Sequence, residues 1–199
     1  MQNIKDNIHQ KLIITGRDLV KSKGVEFLTA RKLSEASGCS IGTIYNQFAS
    51  MDDFIAEQNE ITMLEMIDEF DKIKTTPDNF KNLNFYIDVF SNYVLKNREI
   101  WNLLYGFHLN NKEYKLSIRY KKLMLKISDY CYNDFNKLFL HLDKKRSKLM
   151  REALVLGLFA ISSLLSTTIL DNRNKINKNN ICRIFSNTFL AGITLLERE

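Results

Sequence analysis

A single proline and seven glycines in 199 residues leave the backbone few forced breaks. Long helices are the reading this favours, and no strand-like alternation competes with the helical period. Cysteine is scarce as well. Cys39, Cys131 and Cys182 are odd in number and widely spaced, which indicates neither a disulfide framework nor a zinc motif and fits a reducing cytoplasm. His9, His108 and His141 form no cluster, and there is no phosphate-cradling glycine loop, metal-binding spacing or nucleophile elbow. The chain therefore reads as no enzyme, with no metal and no cofactor. The opening MQNIKDNIHQK lacks the unbroken apolar stretch of a signal peptide. The one membrane candidate, ALVLGLFAISSLLSTTIL at 153–170, falls short of a full span and includes five Ser/Thr. A helix buried on most sides of a protein core, with no membrane, is the expectation there.

A hydrophobic content of 45% and a length of 199 residues suit a globular protein of one or two domains. The net charge of +6 suits an anionic partner, and its distribution is more informative than its sum. Residues 1–50 hold seven Lys/Arg against four Asp/Glu, whereas 51–75 hold two against eight. Residues 111–151 carry twelve against four, which is either a solvated helix face, the expected case, or a second anionic contact.

Ile4, Ile8, Leu12 and Leu19 recur at helical spacing in an amphipathic first helix that Gly24 closes. Thr29 is placed to cap a second, short helix with Leu33 and Ala36 facing inward, and Ser37-Gly38-Cys39 breaks it. Ser40 caps a third helix whose Ile44 and Phe48 lie four residues apart on the buried side. Ser50 and Asp53 then resemble a capping box that opens a fourth helix running to Thr75-Thr76-Pro77-Asp78. Further helices are expected near 79–97, 99–107, 112–139, 144–171 and 179–197, with Asn-rich joints at 110–111 and 172–180. The domain reading is a head at 1–50, a connecting helix at 51–76 and a C-terminal domain at 77–199.

Two short helices joined by a tight glycine-containing turn let one helix brace while the next enters the major groove of DNA. Residues 29–37 would brace and 40–47 would read. With Ile44 and Phe48 inward, Gly42, Thr43, Asn46 and Gln47 face outward. Asn and Gln pair with adenine, a Thr methyl packs on the thymine methyl, and glycine permits close approach. Tyr45, at the edge, can donate its hydroxyl to a phosphate.

The stretch TARKLSEASGCSIGTIYNQFASMDDFI, residues 29–55, resembles the DNA-binding head of the tetracycline-repressor (TetR) family of bacterial regulators. Thr29, Arg31, Leu33, Glu35, Ala36, Gly38, Ser40, Gly42, Thr43, Ile44, Tyr45, Phe48 and Ser50 match its pattern in register. The likeness covers about the first 55 residues, and beyond them only helix number and length. It implies an all-α fold, with a three-helix helix-turn-helix head joined to a C-terminal helical bundle that binds a small-molecule effector and dimerises. By position it implies phosphate contacts from Thr29 and Tyr45 and a groove-facing segment at 40–47, so the candidate DNA-binding set is Thr29, Arg31, Ser40, Ile41, Gly42, Thr43, Tyr45, Asn46 and Gln47. The implied function is a ligand-responsive regulator, a repressor by the family's commoner mode, binding a palindromic operator as a cytoplasmic homodimer. The alternative is a helical interaction module or a non-specific DNA-binding protein.

The departures from the pattern carry consequences. The family commonly has a phosphate-contacting lysine where Met51 stands and a basic residue where Ile41 stands. Lys5, Arg31 and Lys32 are the residues available to compensate. Gly16, where the family often has alanine, is unfavourable by about 1 kcal/mol in a helix interior unless it permits close packing. Cys39 replaces a usual valine and reads as a small buried hydrophobe.

The helices near 144–171 and 179–197 are the most apolar, with Gly157, Ala160, Ala191 and Gly192 allowing close approach. They are expected to form a two-subunit four-helix bundle, the alternative being a monomer core built from the same residues. Aromatics concentrate at 80–139. Among them Trp101, Tyr105 and His108 form a weak candidate ligand set, and for His108 alone a solvated or satisfied histidine is the expected case.

Overall fold

The computed structural model describes residues 2–110, 114–167 and 178–196. Nine α-helices and no strand occur among these residues. They fall into two compact units, one of residues 1–63 and 97–121, the other of 64–96 and 122–199.

The first unit begins with α1, Gln2–Lys23, whose Leu12, Ile13, Leu19 and Val20 form a buried stripe. Gly24 ends it at φ 97°, ψ 169°, a region that glycine alone occupies readily. A single 3-10 turn, Val25–Phe27, leads to α2, Ala30–Ser37, and α3, Ile41–Gln47. Gly38, at φ 69°, ψ 11°, makes the left-handed cap between them. α4, Met51–Asp71, supplies Phe54 to the same core. α6, Arg98–Asn110, adds Ile100 and Leu103 to it.

Gly16 does have a packing reason. A Cβ there would lie 2.4 Å from Cζ of Phe54, so the missing side chain is what lets α4 press its phenylalanine onto α1. Arg17, one of the seven cations of the head, is only 7% exposed. Its guanidinium donates to Thr62 Oγ1 at 3.1 Å, and so serves the interior rather than the surface.

In the second unit α5, Asn79–Lys96, packs with α8, Lys144–Ser166, and α9, Lys178–Leu196. The core there joins Leu83, Ile87, Phe135, Leu154, Leu158, Cys182, Leu190 and Ile193. α7, Ile118–Leu138, brings Tyr130 against Phe70 and Tyr86, with ring centroids 5.0 and 5.4 Å away, and the Tyr130 hydroxyl donates to Asp71.

Four boundaries differ from the sequence reading by three residues or more. α6 runs to Asn110, past the end expected near 107. α7 starts at Ile118 rather than near 112, because the Ser117 hydroxyl accepts from Tyr120 N and caps it there. α8 stops at Ser166 rather than 171, where Thr167 turns extended and donates its hydroxyl to Leu164 O. α4 stops at Asp71, before the Thr-Thr-Pro segment, and Asp78 beyond that segment caps α5 by accepting from Lys81 N. Residues 168–177 and 197, where the remaining joint and helix end were expected, lie outside the described residues.

α8 is long and apolar enough to cross a membrane by length and composition alone. The expectation of burial on most sides needs correction, since only 33% of its apolar window is buried within this chain. The buried side takes the serines: Ser163 and Ser166 return their hydroxyls to backbone carbonyls of the same helix, and Ser162 meets Cys182 Sγ at 3.3 Å. The other side exposes Leu149, Ala153, Leu156, Ala160 and Leu164, spaced four, three, four and four residues apart.

Candidate nucleic-acid interface

Seven residues form too short a helix to hold itself, so α3 depends on its caps and on two anchors. The Ser40 hydroxyl accepts from Thr43 N at 3.0 Å and pairs with Thr43 Oγ1 at 2.8 Å. Ile44 is fully buried and Phe48, just past the helix, is 4% exposed. Phe48 sits between the His9 ring, 4.7 Å away, and Phe54, 4.8 Å away and edge-on. His9 in turn meets Glu57 at 3.2 Å. These anchors turn the opposite side of α3 to solvent: Ile41, Gly42, Tyr45 and Asn46 are exposed, and Thr43 and Gln47 are half-buried.

α2 is capped as its sequence suggests, Thr29 accepting from Lys32 N at 3.2 Å. Its inward face is Leu33 and Ser37, four residues apart. Ala36 was expected inside but is exposed, because the serines close the turn: Ser34 donates to Cys39 O and Ser37 accepts from Cys39 N. Cys39 is half-buried against the core rather than fully enclosed.

Neither exposed cation of α2 is unengaged. Arg31 Nε lies 3.1 Å and Lys32 Nζ 2.9 Å from the Glu35 carboxylate. Lys32 and then Arg31, by hydrogen bonding, hold that carboxyl below the usual range. The Lys5 side chain lies outside the described residues. α3 itself carries no charge.

Three solved structures show what the chain is similar to. A protein with unknown function from Rhodococcus sp. RHA1 superposes at a TM-score of 0.71 with 14% identity, over 93% of this chain and 94% of that one. PfmR, a TetR family transcriptional regulator from Thermus thermophilus, gives 0.64 with 13% identity over 90% of this chain and 97% of its own. BioQ, solved with its natural double-stranded DNA operator, gives 0.63 with 9% identity over 92% and 96%. This chain has the TetR-family fold. No sequence profile of a known family and no curated protein matches it.

Within this TetR fold the candidate ligand residues all lie on α6. Trp101 is 2% exposed, and Tyr105 and His108 are half-buried. His108 Nε2 meets the Tyr120 hydroxyl at 3.0 Å, and burial holds the imidazole pKa below its ordinary value. The expectation of a satisfied histidine accounts for that contact. An open apolar groove of about 410 Å³ lies elsewhere, on α8 and α9, lined by Leu149, Met150, Ala153, Phe189, Gly192 and Ile193.

Sequence reasoning missed a set of polar contacts on α4. Tyr114 donates to Asp53 at 2.7 Å, and Ser117 and Arg119 meet Glu60 at 3.0 and 3.1 Å. The Ser50–Asp53 spacing was legible. Its partner, 61 positions away, had no local signal.

Proposed function

We propose that this chain is a DNA-binding transcriptional regulator, a repressor by the commoner mode of the family it resembles. It reads a palindromic operator as a homodimer and responds to a small-molecule effector. The observation that carries the proposal is α3, a short capped helix anchored by Ile44 and Phe48 that turns Gly42, Tyr45 and Asn46 to solvent, in a chain with the TetR-family fold. A solved neighbour of that fold, BioQ, was crystallised with its operator DNA.

Thr43, Asn46 and Gln47 read base edges, Gly42 allows approach, Ile41 offers an apolar contact at the first turn, and Thr29, Arg31, Ser40 and Tyr45 meet the backbone. One short helix supplies too few base contacts, so two heads act together. The dimer forms through α8 and α9. Leu149, Leu156 and Leu164 are exposed by 59, 67 and 50%, and Ile184 and Leu195 on α9 by 63% each. A continuous apolar stripe of this kind marks an interaction surface. Gly157 is already occupied within the chain, since a Cβ there would lie 2.4 Å from Cζ of Phe185. Ala160 and Ala191 are exposed and Gly192 has open space where a Cβ would stand, so these three remain for close approach of a second copy. The effector site is assigned to the surroundings of α6, with Tyr105 and His108 its polar groups and Trp101 its packed wall. The protein works in the cytoplasm.

Two substitutions test the reading helix. Tyr45→Phe removes a phosphate contact and weakens binding alike on all sequences, whereas Gln47→Ala changes the preferred base at one position. If both only scale affinity uniformly, α3 is not the reading helix.

A further inference from the structure

We propose that Tyr114 is a positioning residue for the reading helix, acting through Asp53 on the Ser50 cap that joins α3 to α4. The proposal rests on the reading of α3 as the DNA-contacting helix.

Only Phe48, Ala49 and Ser50 separate the end of α3 from the start of α4. With Ile44 and Phe48 as its anchors, α3 takes its direction from how this three-residue link is held. The hold is a ring of hydrogen bonds. Ser50 Oγ accepts from Asp53 N at 3.1 Å and donates its own proton to Asp53 Oδ2 at 2.7 Å. The expected capping box would send the Asp53 carboxylate back to the Ser50 backbone; here it holds the Ser50 hydroxyl instead. The second carboxylate oxygen, Oδ1, accepts from the Tyr114 hydroxyl at 2.7 Å. Asp53 is thus gripped from both sides, and its orientation fixes that of the Ser50 hydroxyl.

Tyr114 is itself held in place. Its ring stands edge-on to Phe107 of α6 with centroids 5.2 Å apart. Three residues on, Ser117 reaches Glu60, which lies seven positions after Asp53 and so on the same face of α4. Arg119 meets the other oxygen of that carboxylate at 3.1 Å. Residues 114–119 therefore form a strap along one face of the first half of α4, and its leading contact is the one at the cap. The phenol keeps its proton throughout the physiological range, because burial first and the Asp53 hydrogen bond second push its pKa up to about 12. Residues 114–117 of the strap lie in the connection between α6 and α7, so the Tyr114 hydroxyl links that connection to the cap beside the reading helix.

Tyr114→Phe keeps the ring against Phe107 and removes only that hydroxyl. In the full-length chain, amide hydrogen exchange across residues 48–54 should quicken on the order of tenfold, as expected for one hydrogen bond to a charged group. Exchange in α1 and α2 should stay as in wild type. The duplex that wild type selects from random DNA should bind several-fold more weakly with unchanged base preference. Ser50→Ala severs the relay at its other end, so adding Tyr114→Phe to it should weaken binding less than twofold further. Unchanged exchange at 48–54 overturns the proposal, as does unchanged affinity or two losses that simply multiply. Asp53→Asn, which leaves one acceptor where two are needed, gives a second reading of the exchange should Tyr114→Phe melt early. Failure of wild type to select any duplex removes the reading of α3 itself, while the exchange data still decide whether Tyr114 holds the cap.

Discussion

At the scale of single residues, Gly16 is the position where two physical terms oppose each other. Alanine is the better helix former by about 1 kcal/mol. Its methyl would enter the Phe54 ring at 2.4 Å, and that ring is fully buried and braced edge-on by Phe48. Overpacking of this kind is unfavourable by roughly 1–3 kcal/mol, so the clash wins. Gly16→Ala should lower thermal stability, measured by circular dichroism melting, by an amount on the order of 1 kcal/mol. An increase would mean that Phe54 has room to move. Sequence showed that Gly16 needed a reason and offered packing as one. It could not show the partner, because Phe54 lies 38 positions away with no periodic relation to it. Arg17 was less legible still: a cation on a helix reads as solvent-facing until Gln58 and Thr62 are seen to receive it.

At the scale of elements, α2 and α3 were the most legible part of the chain, since capping is local chemistry. Thr29, Gly38 and Ser40 each act at the position where the sequence puts them. What escaped was the rotation of α2, in which Ser37 rather than Ala36 turns inward because serine side chains close the following turn. The start of α7 escaped because Ser117, although a residue type that caps helices, stands inside a run already read as helical from 112. α2 also explains how the head manages its charge. Arg31 and Lys32 share one carboxylate, so under the proposed function they would approach DNA already partly neutralised. Glu35→Gln would release both. The variant should bind DNA more tightly at low salt, and log Kd should depend on log salt more steeply by roughly one to two units, as expected for one or two additional released counterions. Gel-shift titrations from about 50 to 200 mM salt would show it. An unchanged slope would place both side chains away from the phosphates.

At the scale of the molecule, the all-helical architecture was legible from the absence of breaks and strand alternation, and the chain shares it with TetR-family structures. The packing among distant segments was not. Ile100 and Leu103 join a core otherwise built from the first 61 residues, a contact that helical periodicity cannot announce. The exposed stripe of α8 was half-visible, as an apolar run too rich in serine for a membrane span; the structure separates its two sides, with Ser162, Ser163 and Ser166 inward beside Leu154, Leu158 and Leu165, and Leu149, Leu156 and Leu164 outward. That outward face should hold the dimer together. Leu156→Glu should shift the protein from dimer to monomer in sedimentation equilibrium and abolish tight binding to a two-half-site duplex, while the head keeps its fold. A variant that remained dimeric would remove α8 from the interface.

Whether α3 reads DNA as one of a symmetric pair is decided most directly by selection of duplexes from random DNA by the wild-type chain. Two symmetry-related reading helices should enrich an inverted repeat whose half-sites are separated by a whole number of helical turns, roughly 34–36 Å or a multiple of it. Recovery of no enriched sequence, or of one without two-fold symmetry, would contradict that role for α3.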